Sequence, residues 1–334
     1  MKFIIEKLLE KQDLSQSESK NIMLEIMSGE YDDIQIAGFL VALRSKGAKS
    51  DEIAGFAEAM RKKMTHVGCV DGAIDMCGTG GDSSGTFNIS TAASFLVAAA
   101  GVPVAKHGNR SMTSKSGSAD VLEAMGINIS LSIENVSECI DKIGIGFMFA
   151  PSLHPAMKHA MGARKSLGVR TVFNVLGPLC NPAGVRRQLM GIYNGDLTEI
   201  VANVFKRLGS INAMIVHGDD GLDEISTTAK TKISHLQNTG EIISESFSAL
   251  EYGFSLASLE DLKGGSPELN AKIIQDILSG NENGKKTDIV ILNAAAGILV
   301  GGKVESINDG IDVARDMISS GASMDVLHKL MAVK

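Results

Sequence analysis

Between residues 70 and 217 the chain alternates short apolar runs with helical patterns, and that alternation limits it to a small set of folds. The apolar runs fall at 73–77, 102–105, 145–149, 189–193 and 213–217. Helix-period patterns fill the gaps at 90–100, 119–125, 133–143, 155–166 and 198–208. A strand that leaves through a helix and returns as a strand is a parallel βαβ unit, so the spacing predicts a mostly parallel sheet covered by helices. Residues 225–258 are rich in Ser and Thr with weaker alternation, which predicts a small antiparallel excursion. Beyond 270 the chain reads as helix again, with Gly280, Gly302 and Gly321 as breaks. The first 65 residues carry helix signals only. Ser15-x-x-Glu18 is a capping box, Gly29 stops the helix it opens, Asp32-x-x-Gln35 opens the next and Gly47 closes it. After Ser50, the side chains Ile53, Phe56, Ala57, Met60 and Met64 form one apolar stripe suited to docking or dimerisation. The expected fold class is therefore α/β. A small N-terminal helical domain covers 1–68, with part of 155–185 as a candidate addition, and a larger α/β domain with a central mostly parallel sheet covers 69–334.

Composition removes several function classes. The hydrophobic share is 44% and the charged share 21%, both normal for a packed globular protein, so disorder and low-complexity readings fail. The longest apolar stretch, 288–302, is interrupted by Asn293 and three glycines and falls short of the roughly 18 apolar residues a membrane span needs. The opening Met1-Lys2-Phe3-Ile4-Ile5-Glu6-Lys7 places charge where an export signal is apolar, so the expected location is cytoplasmic. With 32 basic against 39 acidic residues, a net charge of -7 and no long basic run, the chain lacks the footprint of a nucleic-acid binder. Cys69, Cys77, Cys139 and Cys180 show no C-x-x-C spacing, so neither a zinc knuckle nor a disulfide framework is indicated. Glycine, at 36 of 334 residues, is abundant and clustered.

Those clusters carry the chemistry. Asp75-Met76-Cys77-Gly78-Thr79-Gly80-Gly81-Asp82 follows an apolar run and precedes Thr86-Phe87-Asn88-Ile89-Ser90-Thr91, which opens a helix. Glycines after a strand admit a ligand close to the backbone, and free N–H groups at a helix start favour anions. The dinucleotide fingerprint fails because Ser83 stands where its third glycine belongs, and no Gly-Lys-Ser/Thr of a Walker loop is present. A second stretch, Lys106 to Asp120, holds Lys106, His107, Arg110, Lys115, four serines and two glycines. It reads as a loop at the carboxyl end of a strand, where open α/β folds bind ligands, and its donors suit a pyrophosphate. Gly221-Leu222-Asp223-Glu224 reads either as an acidic surface turn or as ligands for Mg²⁺ beside a polyphosphate. The stretch from Arg164 to Pro182 reads either as a rigid connection or as a carboxylate site built on Arg164. His154 and His159, five apart, cannot share one helical metal face and are assigned to a helix start and the surface.

In combination and order these motifs resemble the anthranilate phosphoribosyltransferase family. The resemblance rests on Gly78-Thr79-Gly80-Gly81-Asp82, Asn88-Ile89-Ser90-Thr91, Lys106-His107-Gly108-Asn109-Arg110, Gly117-Ser118-Ala119-Asp120-Val121-Leu122-Glu123 and Asp223-Glu224. It extends to Gly168-Val169-Arg170-Thr171, Gly177-Pro178-Leu179 and Asn293-Ala294-Ala295-Ala296, and so covers essentially the whole chain. It implies the nucleoside phosphorylase/phosphoribosyltransferase-like fold, usually a homodimer through its helical part, and transfer of phosphoribose from phosphoribosyl pyrophosphate to anthranilate in tryptophan biosynthesis. It places the phosphoribosyl pyrophosphate site on Gly78, Gly81, Asp82, Thr86, Asn88, Ile89, Ser90, Thr91, Lys106, His107, Gly108, Asn109, Arg110, Ser111, Met112, Thr113, Ser114 and Ser118. Anthranilate falls to Gly78, Asn109 and Arg164, with His107 and Pro178 lining the approach. The cofactor it implies is Mg²⁺, two ions per subunit, held by Ser90, Asp223 and Glu224. Lys106, His107, Asn109 and Arg164 become the catalytic set, with His107 a candidate proton acceptor. Thr113 and Met125 depart from the serine and leucine of the family pattern without removing a needed group. The alternatives are a pyrimidine nucleoside phosphorylase and a non-enzymatic nucleic-acid-binding relative of the same fold. Neither the membrane nor nucleic acid is an expected partner.

Overall fold

The computed structural model describes residues 1–80, 84–111 and 115–334. Four helices come first: α1 Lys2–Leu9, α2 Gln16–Met27, α3 Asp33–Lys46 and α4 Ser50–Lys63. Both capping boxes form, Ser15 Oγ accepting from Glu18 N and Asp32 Oδ1 from Gln35 N at 2.8 Å. Gly47 closes α3 with a φ of 88° that a β-carbon resists. Then come β1 Ile74–Gly78, α5 Ile89–Ala99, β2 Val104–Gly108, α6 Ser118–Ala124, α7 Ile133–Lys142 and β3 Ile145–Phe149. The middle of the chain supplies α8 Ala150–Leu153, α9 Lys158–Leu167, α10 Phe173–Leu179, β4 Arg187–Gly191, α11 Thr198–Arg207 and β5 Asn212–Gly218. The hairpin β6 Thr231–Leu236 and β7 Ile242–Phe247 follows, and α12 Pro267–Leu278, α13 Lys285–Val300, α14 Ile307–Ser319 and α15 Ala322–Met331 complete the chain.

The strands form one sheet in the order β3-β2-β1-β4-β5-β6-β7. The first five run parallel and the last two antiparallel, so the Ser/Thr-rich excursion is an edge hairpin paired to β5. The pleat sends alternate side chains to opposite cores. Ile74, Met76, Val104, Leu189, Met214 and Val216 enter the core shared with α5 and the C-terminal helices. Met190, Ile192, Ala213 and Ile215 point the other way, into a core that also holds the buried faces of α1–α4 and of α9, α10 and α11. The N-terminal helices therefore pack on the sheet through α9–α11, without a closed core of their own. No helix among the described residues is long and apolar enough to cross a membrane.

β1 sits between β2 and β4, so the chain crosses to opposite sides of it. The crevice at the carboxyl ends of β1 and β4 is the topological switch point at which open α/β sheets take ligands. Two local expectations change. β2 runs to Gly108, with Lys106 paired to Phe147 and Gly108 to Phe149 on β3, so Lys106 and His107 belong to a buried strand and not to a loop. Residues 173–179 form a short helix that carries Pro178 in its last turn.

Within the helical part, Phe39 and Phe56 meet edge to face with centroids 5.8 Å apart. Glu52 is fully buried there and accepts from Leu14 N at 2.9 Å, Lys49 N at 2.8 Å and Lys46 Nζ at 2.9 Å. Removing that carboxylate strands two backbone donors and takes one partner from Lys46, which keeps Asp13 and Gly47 O. Glu52→Ala is expected to lower the stability of the helical part by about 3 kcal/mol. A shift of the urea midpoint no larger than that of a surface variant such as Glu10→Ala would contradict this role.

Candidate active site

The site grows from close approaches at the strand ends. The Asp223 carboxylate lies so near Gly78, the last residue of β1, that any β-carbon there would overlap it. At the end of β4 the Asp223 carbonyl excludes a β-carbon from Gly191 in the same way. Thr79 joins the two strand ends, its N–H donating to Gly191 O at 3.0 Å while its hydroxyl accepts from Tyr193 N at 3.0 Å. Gly80, at a φ of 66°, turns its N–H to Asp223 Oδ2 at 2.8 Å. Glu224 Oε1 accepts from Ser90 N at 3.1 Å in the first turn of α5. The stretch that reads either as a surface turn or as metal ligands is thus folded under the glycine loop, with Asp223 buried. Asn293, buried on α13, clamps the residue after it: Ile225 N donates to Asn293 Oδ1 at 2.9 Å and Asn293 Nδ2 to Ile225 O at 2.9 Å. The asparagine that interrupts the apolar run at 288–302 is the sequence signal for this clamp.

Behind the loop lies a buried polar network. Asp75, with no exposed surface, accepts from His107 N at 3.2 Å and from Asn181 Nδ2 at 2.8 Å. Burial raises its pKa to about 6, while Asn181 and the nearby Lys106 ammonium act the other way. Lys106 is 2% exposed and donates to Met76 O at 2.6 Å; burial lowers its pKa and Asp75 opposes that. Its charge therefore stands beneath the strand ends instead of reaching out as a free loop lysine. Sequence reasoning misses Asp75 and Asn181 as contributors to the site, since their partners are far away in the chain.

His107 and His154 face each other through their Nε2 atoms at 3.2 Å. His154, expected as a helix-start partner, does stand at the N-cap of the short turn 155–157 and is buried against His107. Burial and the neighbouring ring pull the His107 pKa down to about 3, and burial takes His154 to about 4. A facing pair of ring nitrogens needs one N–H and one lone pair, which two neutral imidazoles supply and two cations cannot. The Nε2 of His107, expected as a proton acceptor, is thus engaged by His154.

In the second motif the described residues on either side, 108–111 and 115–120, pack against each other. A β-carbon on Gly108 would overlap Ser118 Oγ and lie 2.6 Å from Phe147, and one on Gly117 would lie 2.7 Å from Asn109 O. Asp120 ties the loop closed, accepting from Ser111 N at 3.0 Å and Gly117 N at 2.9 Å. Arg110, expected to hold phosphate, instead pairs outward with Asp120 at 3.0 Å and Glu123 at 2.8 Å, its guanidinium 5.9 Å from the Phe149 ring. Asn88 links this loop to the first, donating to Ser116 O at 3.2 Å and accepting from Asn270 Nδ2 at 2.9 Å. Ser118 donates to Asn109 O at 3.3 Å, and Asn109 is exposed. Ile89 and Thr91 are buried at the start of α5, so only their backbone is suited to a ligand, while Thr86 bridges Lys263 beside the loop. The candidates Gly81, Asp82, Met112, Thr113 and Ser114 lie outside the described residues.

Arg164 projects from α9 with its guanidinium 5.0 Å from the Phe173 ring. Among the described residues it has no carboxylate partner. Burial lowers its pKa. A partly desolvated, unpaired guanidinium is suited to a bidentate anion.

Known proteins share this fold. Residues 2–64 match the helical bundle domain of a glycosyl transferase family, and residues 70–324 match its α/β domain. An anthranilate phosphoribosyltransferase of Acetivibrio thermocellus is 51% identical over 99% of this chain and 96% of its own length. The chain belongs to the anthranilate phosphoribosyltransferase family. The crystal structure of the Thermus thermophilus enzyme is similar with a TM-score of 0.93 at 39% identity, covering 98% of each chain. A Saccharomyces cerevisiae anthranilate phosphoribosyltransferase in complex with PRPP and Mg is similar with a TM-score of 0.89 at 29% identity, over 98% of this chain and 95% of that one. The same yeast protein in complex with 4-fluoroanthranilate gives 0.87 at 27% over the same shares.

The histidine pair makes stability depend on pH. Both imidazoles sit below their ordinary 6.5 in the folded chain, so on acidification the unfolded chain takes up protons first. Their contribution is complete above about pH 6.5 and falls as pH drops towards 4 and 3, by up to about 1.4 kcal/mol per pH unit for each ring. Asp75, raised in the fold, acts with the opposite sign between its unfolded and folded values. The informative comparison is therefore between wild type and His154→Gln: melting temperatures should converge as pH falls from 7 to 5, and parallel curves would refute the coupling.

Proposed function

We propose that this enzyme transfers the phosphoribosyl group of phosphoribosyl pyrophosphate to the amine of anthranilate, giving N-(5-phosphoribosyl)anthranilate and pyrophosphate in tryptophan biosynthesis. The observation that carries the reading is the anchoring of Asp223 and Glu224 to Gly80 N and Ser90 N at the switch point. It puts two carboxylates and the start of α5 around one strand end. Two carboxylates and the Ser90 hydroxyl are hard oxygen donors, fewer than the six that Mg²⁺ takes, which leaves places for substrate phosphate and water. The donor set therefore fits Mg²⁺, with two ions per subunit as the working count. Bound there, Mg²⁺ supplies charge neutralisation at the departing pyrophosphate.

The residues of the chain do the rest by position. The 78–80 turn and residues 108–111 and 115–118 flank the phosphoribosyl end, and the buried Lys106 ammonium adds a fixed positive charge beneath it. Asn109 and Arg164 face the acceptor, Arg164 taking its carboxylate bidentately and the neutral His107–His154 wall excluding water. An aromatic amine attacks as the free base, so catalysis rests on holding it against the ribose C1 while charge develops on the leaving group. The family assignment favours this transfer over nucleoside phosphorolysis and over nucleic-acid binding. The exposed apolar side chains Phe3 on α1 and Ile34 and Val41 on α3 favour a homodimer through the helical part.

The test is loss of anthranilate fluorescence on mixing with phosphoribosyl pyrophosphate. It should require Mg²⁺, stop on chelation, and fall at least about 100-fold in Asp223→Asn/Glu224→Gln. Arg164→Ala should raise the anthranilate KM while leaving that for phosphoribosyl pyrophosphate unchanged. Full turnover in the doubly substituted enzyme would remove the acidic pair from the reaction.

A further inference from the structure

Asp33 opens α3 and is solvent-exposed, and its own helix does not need it as a cap because Asp32 already fills that role. Its carboxylate leaves the helix for α9, where Oδ1 accepts from Ala163 N at 2.9 Å. Oδ2 lies against Gly162 so closely that a β-carbon at that position would overlap it. A glycine in a helix interior costs about 1 kcal/mol relative to alanine, and here its missing side chain is what admits the carboxylate. The turn ahead of α3 touches the same helix, since a β-carbon on Gly29 would lie 2.8 Å from His159 Nδ1. Ala160 and Ala163 are buried in the core that α9 shares with the N-terminal helices. The residue after Ala163 is Arg164.

We infer that Asp33 is a positioning residue for Arg164, fixing α9 so that the guanidinium meets the acceptor carboxylate. The inference rests on the proposed role of Arg164. Asp33 touches no substrate; it acts through the backbone of α9. An error near 1 Å in a bidentate group is costly, so a single hydrogen bond one residue away has leverage on acceptor binding. It also makes the N-terminal helices part of the acceptor site, although none of their side chains needs to reach it.

The experiment is a double-mutant cycle read as separate KM values for the two substrates. Asp33→Ala should raise the anthranilate KM about tenfold, with kcat and the KM for phosphoribosyl pyrophosphate within about twofold of wild type. Asp33→Asn keeps an oxygen acceptor and should stay near wild type. Gly162→Ala, which expels the carboxylate, should reproduce Asp33→Ala. The pair together should be no worse than either alone, because the methyl group then fills the vacated space. Arg164→Ala is the control. If it raises the anthranilate KM and Asp33→Ala does not, the inference falls and the acceptor site stands. If Arg164→Ala leaves that KM unchanged, both fall. Equal loss for both substrates in Asp33→Ala, or additive losses in the double variant, would reduce Asp33 to a general structural role.

Discussion

The close approach of Asp223 to Gly78 and Gly191 is the constraint on which the rest of the site depends. Two strand ends from distant parts of the chain must lack side chains so that one acidic turn can lie across them. Once it does, Asp223 receives the N–H of Gly80, Glu224 receives that of Ser90, and Asn293 clamps the residue that follows. The glycine loop after β1 is therefore more than a flexible turn that makes room for a ligand. At Gly80 the backbone is held by the Asp223 carboxylate, and that carboxylate is aimed by the Gly80 N–H. Such mutual anchoring preorganises oxygen donors before any substrate arrives, and preorganised electrostatics is a form of catalysis that needs no covalent intermediate.

Beneath this surface the chain buries charges that must be satisfied where they lie. Asp75 and Lys106 occupy adjacent parallel strands, and their carboxylate and ammonium are shared with Asn181, His107 N and Met76 O. A buried lysine without such partners would lose its proton to escape the desolvation cost. With them it stays in place as a positive charge below the crevice. The histidine pair shows the complementary solution, since burial strips both rings of charge and they satisfy each other as neutral groups.

What is legible in the sequence is local. The capping boxes at Ser15 and Asp32, the apolar runs of the five parallel strands and the edge hairpin are set by residues within a few positions of each other. The glycine clusters and the Asp223-Glu224 pair mark the site for the same reason. Lys106 and His107 read as loop because charge and a following glycine normally end a strand. Only their partners elsewhere in the fold, Met76 O and Asp75 for Lys106 and His154 for His107, make them tolerable inside one. Arg110 reads as a phosphate ligand because its acidic partners lie on the next helix, where they compete with any phosphate. Asn181, Asn293 and Asp33 share this character, since each polar group is matched by backbone far away in the chain, and no local pattern encodes such a match.

The placement of Glu224 also accounts for how an acidic protein takes a polyanionic substrate. The start of α5, with its free N–H groups and positive dipole end, would otherwise be a ready anion site. Glu224 already occupies part of it through Ser90 N, and Asp223 does the same at Gly80 N. A phosphate approaching these donors alone would meet two carboxylates as well. On the proposed reading a pyrophosphate bound there would need cations with it, for which Asp223 and Glu224 would serve as ligands, reversing the sign of the local field. In the proposed function the pair would act as a filter that admits a metal-bound pyrophosphate and disfavours bare anions, which a basic loop of the kind that residues 106–120 suggest in sequence could not do.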